Sequence, residues 1–416
     1  MRHLRSLVAL SVLWLLPLGT AASDPGPVIR VGIFSGQRVT ACSATSRGPL
    51  TIEDQRGSSL ANLPAGTLLR AEAKDGLVSL SCQAPLSAAP QTRYAISSPS
   101  PVEVCPEGGK ARAYRGSVAI QAAADRLCLT NDVDLEDYLR GVLPAEIPAS
   151  FAPEALRAQA IAARTFALVS AGRHAAQGYE LCDSYHCQVY LGVTDEDPRT
   201  DAAIRDTAGL IVTYQGQPIH AVYHDSCGGR TAANETAWSA SKPLPYLRPV
   251  SDTEGGKALC GDSPNAAWTR QVPQAKLAAA LARFSVTAPI AAVEPATRDE
   301  NGRPRDFSVR GNQGEVTIAA GALREAVNHC LGPTALPSAD FTAAPNGDAI
   351  VFAGRGSGHG VGLCQWGANA MAREGRTAAE ILSHYYTGTA IAPITAEIAD
   401  RPSTPPRATQ RSCFAE

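Results

Sequence analysis

Apolar and polar residues alternate in short stretches over the first third of the chain, and a helical spacing takes over near residue 135. Residues 28–33, 66–70 and 77–80 carry the period-two pattern of strands and are separated by turn formers. Asp134 suits the cap of a short helix over 135–139, with Asp137 in its first turn. A longer, alanine-dominated helix is predicted from Pro153 to residue 168, since proline fits the first helical position. Strands return at 210–214 and, after a turn at 215–217, at 219–224; further β segments surround 307–309 and 315–318. Helices are predicted over 323–330, 368–372 and 379–386, with a glycine-rich loop at 354–362. The expected fold class is α+β, with mixed helices and antiparallel strands around a cleft and a β-rich N-terminal region. The expected division is 28–130 for that region, 131–395 for the core and 396–416 for a disordered tail rich in Pro, Ser, Thr and Arg.

The first residues add an address. Arg2 and Arg5 precede an apolar run from Leu7 to Leu18 and a small-residue stretch ending at Ser23, the layout of a cleaved signal peptide over 1–22. The run is shorter than the roughly 20 residues a spanning helix needs. The expectation is an exported protein, periplasmic or extracellular at the cell wall, without a membrane span once the signal is removed. A net charge of -2 over 416 residues gives no general electrostatic reason to expect nucleic acid as a partner. Eleven cysteines in an exported chain predict several disulfides, with Cys42, Cys82, Cys105 and Cys128 pairing among themselves.

Several residues could carry chemistry. Glu146 stands between Pro144 and Pro148, which predicts a rigid loop displaying one carboxylate among apolar neighbours. Such surroundings raise a carboxyl pKa toward the range a general acid needs. Arg157, Gln159 and Arg164 follow on the next helix; the two arginines, seven apart, share a face and could bind sugar hydroxyls or orient the glutamate. Cys182, His186 and Cys187, with His174 shortly before, form a set for a tetrahedral zinc, and a Cys182–Cys187 disulfide competes with it. His220 and His224, read as one strand, sit about 13 Å apart at ~3.3 Å per residue, too far to share an ion. Five glycines alternate from Gly354 to Gly362 around His359, without dinucleotide-fold spacing; the alternation implies backbone packed closely against something.

The order of these segments carries a resemblance. Residues 137–148 (DYLRGVLPAEIP), 154–165 (EALRAQAIAART) and 188–192 (QVYLG) resemble successive blocks of the SpoIID/LytB family. The stretch 224–231, Trp238 and Pro245-Tyr246-Leu247 continue the likeness, and 356–368 with 384–388 resemble its C-terminal blocks. The resemblance implies a lytic transglycosylase acting on peptidoglycan glycan strands, with Glu146 as catalytic acid and base. It implies that Gln188, Tyr190, His224 and Ser226 line the cleft, and His359 and Gln365 fall in its C-terminal block as further substrate-binding candidates. No cofactor is required under this reading, although a structural zinc at the Cys/His set is consistent with it. Some members resemble amidase enhancers, so a cell-wall amidase is an alternative partner; a zinc-stabilised carbohydrate-binding module is a third reading. The chain departs from the pattern at Asp225, where a small hydroxyl residue is commoner, and at Cys227 and Cys364, which could form disulfides beside the cleft.

Overall fold

The computed structural model describes residues 26–399. The segment 1–22 expected to be a signal peptide and nearly all of the predicted tail lie outside the described residues. The architecture is α+β. Strand Val28–Ile33 pairs antiparallel with Arg126–Asp134 within a seven-stranded sheet. A five-stranded sheet ordered Leu77–Ser81, Leu69–Lys74, Ala41–Ser46, Val102–Pro106, Arg112–Tyr114 completes the β-rich region. The strand expected over 66–70 starts later, at Leu69, because Gly66 adopts φ 77° in a turn closed by Thr67 N–H on the Pro64 carbonyl.

The apolar faces of both sheets merge into one core with the helices that follow. Helix Leu135–Glu146 starts where expected: the Asp134 carboxylate accepts from the Glu136 and Asp137 amides. Leu135, Tyr138, Leu139, Val142 and Leu143 form its buried stripe. It runs past the predicted end and takes in Pro144. Proline in the last turn removes a single hydrogen bond, and packing of the stripe outweighs that loss. Helix Pro153–Ser170 is buried on nearly every face, which its alanines permit by keeping neighbouring backbones close.

A second core is built from Trp268–Pro273, Ala292–Arg298, Pro304–Gly311, Gly314–Ala319, Phe341–Asn346 and Ala349–Gly354, with helix Ala320–Leu331. Phe307, Phe341, Phe352 and Leu323 lie at its centre. This unit is inserted between two stretches that meet in space: Tyr223–His224 pairs in parallel with Leu363–Cys364. The expected strand over 219–224 is reduced to these two residues, because tight turns from Val222 N–H to the His220 carbonyl and from Ala221 N–H to the Ile219 carbonyl interrupt it. Helices Gln365–Arg373 and Ala378–Tyr385 then pack on the alanine-rich helix. Among the described residues no helix is long and apolar enough to cross a membrane.

The expected disulfides do not form among the described cysteines, all of which are free thiols. The pairing register gives a reason for the N-terminal set. Cys42 lies opposite Pro106 and Cys105 opposite Ser43, so the two sulfurs point to opposite faces of their sheet.

Candidate active site and metal centre

Glu146 is the last residue of its helix, which corrects the expected loop between prolines. Its Oε1 accepts the Val189 amide at 2.7 Å. The residue stays partly open to solvent while its carboxyl is packed in by protein. Burial pushes the carboxyl from 4.5 to about 7, and the Val189 hydrogen bond opposes the rise. A helix C-terminus carries partial negative charge, so its position there disfavours ionisation as burial does.

Gln188 organises the ground beside it. Its amide oxygen accepts from the Tyr138 hydroxyl at 3.1 Å, and its nitrogen donates to the Tyr223 hydroxyl at 2.9 Å and the Ala163 carbonyl at 3.3 Å. Burial raises both phenols well above their ordinary value, and the nearby Glu146 charge adds to it. Both therefore stay protonated at neutral pH. Gln365 donates to the Glu146 carbonyl at 3.0 Å, closing the end of that helix. Its neighbour Trp366 donates to Asp225 Oδ1 at 3.0 Å and packs edge-on against Phe151. Asp225 also accepts from Ser226 at 3.0 Å, and Ser263 donates to Ser226 at 3.1 Å.

The alternating glycines explain how the 356–362 loop reaches this ground. A Cβ on Gly358 would stand 2.7 Å from that of His224, and one on Gly362 would stand 2.2 Å from the Val222 carbonyl. Both positions have positive φ, 98° and 69°. The loop lies directly on the segment holding His224 and Ser226. His359 sits between Trp238, at 4.9 Å between ring centres, and His224, at 5.5 Å. His224 Nδ1 lies 3.1 Å from the Val361 carbonyl, so it carries the proton and leaves Nε2 as an acceptor. That Nε2 is buried and has no protein partner. Burial pushes His224 down to about 3 and His359 well below the ordinary histidine value, so both rings are neutral.

Three predicted contacts fall elsewhere. Arg164 is fully buried and grips Glu136 through Nε at 2.8 Å and Nη2 at 2.6 Å, with the Leu210 carbonyl on Nη1 at 3.0 Å. It joins two helices and does not face a ligand. Arg157 is held by Glu154 and by Asp206 at 2.7 Å. Tyr190 is buried beneath Tyr138 with its hydroxyl on Asn131 at 2.7 Å. Each has a protein partner for its charge or hydroxyl, which sequence spacing could not reveal. Gln159 is the opposite case: it is fully buried and neither amide atom has a partner.

The Cys/His set converges. His174 Nε2 lies 3.1 Å from His186 Nδ1 and 3.4 Å from Cys187 Sγ, and His186 Nδ1 lies 3.7 Å from both sulfurs. Zinc bonds of ~2.0–2.3 Å imply tetrahedral edges of about 3.3–3.8 Å, so these residues could hold the ion. Hydrogen bonding from Cys187, then from His174 and His186, draws the Cys182 thiol far below its ordinary value. The two thiols are not joined. The cluster sits at a sheet edge because Leu181–Cys182 pairs with Val31 and Gly32, and buried Asp183 anchors it to the Phe34 amide at 2.7 Å and to Arg112 at 2.9 Å. Asp183 and Tyr223 were not signalled by any motif, and Tyr138 lies in the 137–148 block without having been singled out as a site residue.

The family model described as SpoIID, Stage II sporulation protein, matches residues 123–214, which contain Glu146, Gln188 and the Cys/His set. The chain is 34% identical over 279 residues to stage II sporulation protein D of Bacillus subtilis, covering 62% of this chain and 75% of that one. It is 32% identical over 277 residues to an uncharacterised protein of Brachyspira hyodysenteriae, covering 66% and 71%. It is 28% identical over 291 residues to the amidase enhancer of Bacillus subtilis, covering 61% of this chain and 40% of that protein.

Proposed function

Because the chain belongs to the stage II sporulation protein D family, we propose that it is an exported lytic transglycosylase that cleaves peptidoglycan glycan strands between N-acetylmuramic acid and N-acetylglucosamine. The observation that carries this reading is a single carboxyl, Glu146, packed in by protein, raised to about 7 and set beside the protonated phenols of Tyr138 and Tyr223. A group with that pKa is populated in both forms near neutrality, as a residue acting first as acid and then as base requires.

In the first half of the reaction Glu146 protonates the glycosidic oxygen as the bond to the muramic C1 breaks. In the second half the ionised Glu146 takes the proton of the muramic C6 hydroxyl, whose oxygen closes on C1 to give a 1,6-anhydro ring. No water is consumed, so the second carboxylate of ordinary glycosidases is not needed. The Val189 amide orients Glu146, and Gln188 holds Tyr138 and Tyr223 beside it. His174, Cys182, His186 and Cys187 would hold a structural zinc that fixes the segment leading to Gln188 and Val189. The test is mass spectrometry of soluble products from peptidoglycan treated with purified mature protein. Products with 1,6-anhydro ends support the reading, and reducing ends, one water heavier, refute it.

A second reading follows from the likeness to the amidase enhancer: the protein would stimulate a cell-wall amidase without cutting glycan. Intact glycan together with faster stem-peptide release by an added amidase is its signature.

A further inference from the structure

Cys227, Asp252, Cys260 and Cys364 come from four separate stretches of chain and meet at one point. All four are fully buried, and their ligand atoms lie within 4.8 Å of one another. Cys227 Sγ is 3.8 Å from Cys260 Sγ and 2.9 Å from Asp252 Oδ2. We infer that this cluster is a second metal site, a three-thiolate, one-carboxylate centre for zinc, distinct from the His174/Cys182/His186/Cys187 set.

The donor geometry comes first. Two sulfurs on one tetrahedral zinc, each at ~2.3 Å, stand about 3.8 Å apart, whereas a disulfide needs ~2.05 Å. A disulfide could also use only two of the three cysteines and would leave a thiol against a buried carboxylate. Three sulfurs and one oxygen select a borderline-soft ion such as zinc over magnesium or calcium.

Hydrogen-bond donors are aimed at several of the ligand atoms. The Cys227 and Gly367 amides point at Cys364 Sγ, at 3.3 and 3.4 Å. Backbone N–H groups aimed at sulfur stabilise thiolate over thiol. Asp252 is held on its far side by the Tyr385 hydroxyl at 2.7 Å, and His384 Nε2 stands 3.8 Å from the same oxygen. A buried carboxylate with no Lys or Arg among the described residues in its ion-pair contacts is costly unless a cation joins it. Orientation of a ligating carboxylate from behind is the usual outer-sphere arrangement.

Placement gives the site a purpose. Cys227 follows the His224–Ser226 stretch, and Cys364 precedes Gln365 and Trp366, which touch the Glu146 carbonyl and Asp225. An ion here ties the segment under His224 to the helix that closes the end of the Glu146 helix. Binding releases the thiol protons and involves no redox change.

The purified mature chain should contain about two zinc per molecule, and zinc-edge X-ray absorption should give an average of about 2.5 sulfurs per ion. In Cys182→Ser/Cys187→Ser about one zinc should remain, with about three sulfurs around it, and adding Cys260→Ser should remove it. If the variants fail to fold, the sulfur count of the wild type decides alone. One zinc with two sulfurs and two nitrogens overturns the inference. So does a mapped disulfide between any two of Cys227, Cys260 and Cys364, or metal-free thiols at these positions in protein that retains zinc elsewhere.

Discussion

Replacing Glu146 with glutamine should change stability and catalysis in opposite directions, with a pH dependence set by one group. The carboxyl has a folded pKa of about 7 against an ordinary 4.5. Below pH 4.5 the folded and unfolded states both hold the proton, and burial costs no charge. Between 4.5 and 7 the folded state holds the proton while the unfolded state has lost it, so stability falls as pH rises. Above 7 both are ionised and the full penalty is present. At ~1.4 kcal/mol per pH unit the interval corresponds to roughly 3.4 kcal/mol, and partial solvent access trims it to about 2–3 kcal/mol. Glutamine keeps the acceptor for the Val189 amide and never ionises. Glu146→Gln should therefore unfold in urea with nearly the wild-type free energy at pH 4.5, and be about 2–3 kcal/mol more stable than wild type at pH 8. Its glycan cleavage should drop by ~10²–10⁴ at every pH. Wild-type kcat/KM should fall about tenfold per pH unit above 7, as the proton needed by the leaving oxygen is lost. Equal stability differences at pH 4.5 and pH 8 would refute the raised pKa, and undiminished cleavage by the variant would refute the acid–base role.

Glu136→Ala leaves the fully buried Arg164 guanidinium without its carboxylate and should destabilise the protein by about 3 kcal/mol, measured by denaturant unfolding; a loss under 1 kcal/mol would contradict the ion-pair role. Gly358→Ala forces a Cβ against that of His224 at a φ of 98°, so it should lower Tm and weaken glycan binding in a pull-down assay; unchanged values for both would show that the loop is not seated on His224. Cys182→Ser should lose about one zinc equivalent and lower Tm, and wild-type protein should be destabilised by a chelator; chelator-insensitive protein with full metal-free stability would rule zinc out at the His174 set.

Much of the architecture was legible along the chain because it rests on neighbours in sequence. The Asp134 cap, the Pro153 helix start, strand 210–214 and the Cys/His set all depend on residues a few positions apart, and the structure contains each. Glu146 could be singled out from its apolar setting, but not its place as the last residue of a helix. That end was set by packing of Val142 and Leu143 into the core, which local propensity underestimates at a proline. The alternating glycines announced a close approach, and only the fold named the partners: the segment 222–228 for Gly356, Gly358 and Gly362, Trp268 for Gly354 and Arg303 for Gly360.

What tertiary structure alone decided is how distant polar groups were matched. Arg164 with Glu136 and Tyr190 with Asn131 were turned from candidate ligand contacts into internal supports, while Gln159 and His224 Nε2 were left buried and unpaired. The meeting of Cys227, Asp252, Cys260 and Cys364 has no sequence signature, because an inserted unit with its own core between residues 268 and 354 separates Cys364 from the other three. Local pattern follows from the periodicity of helices and strands, which any short window contains. Which side chains end up together depends on chain closure over more than a hundred residues, and that is fixed by burial of the whole core.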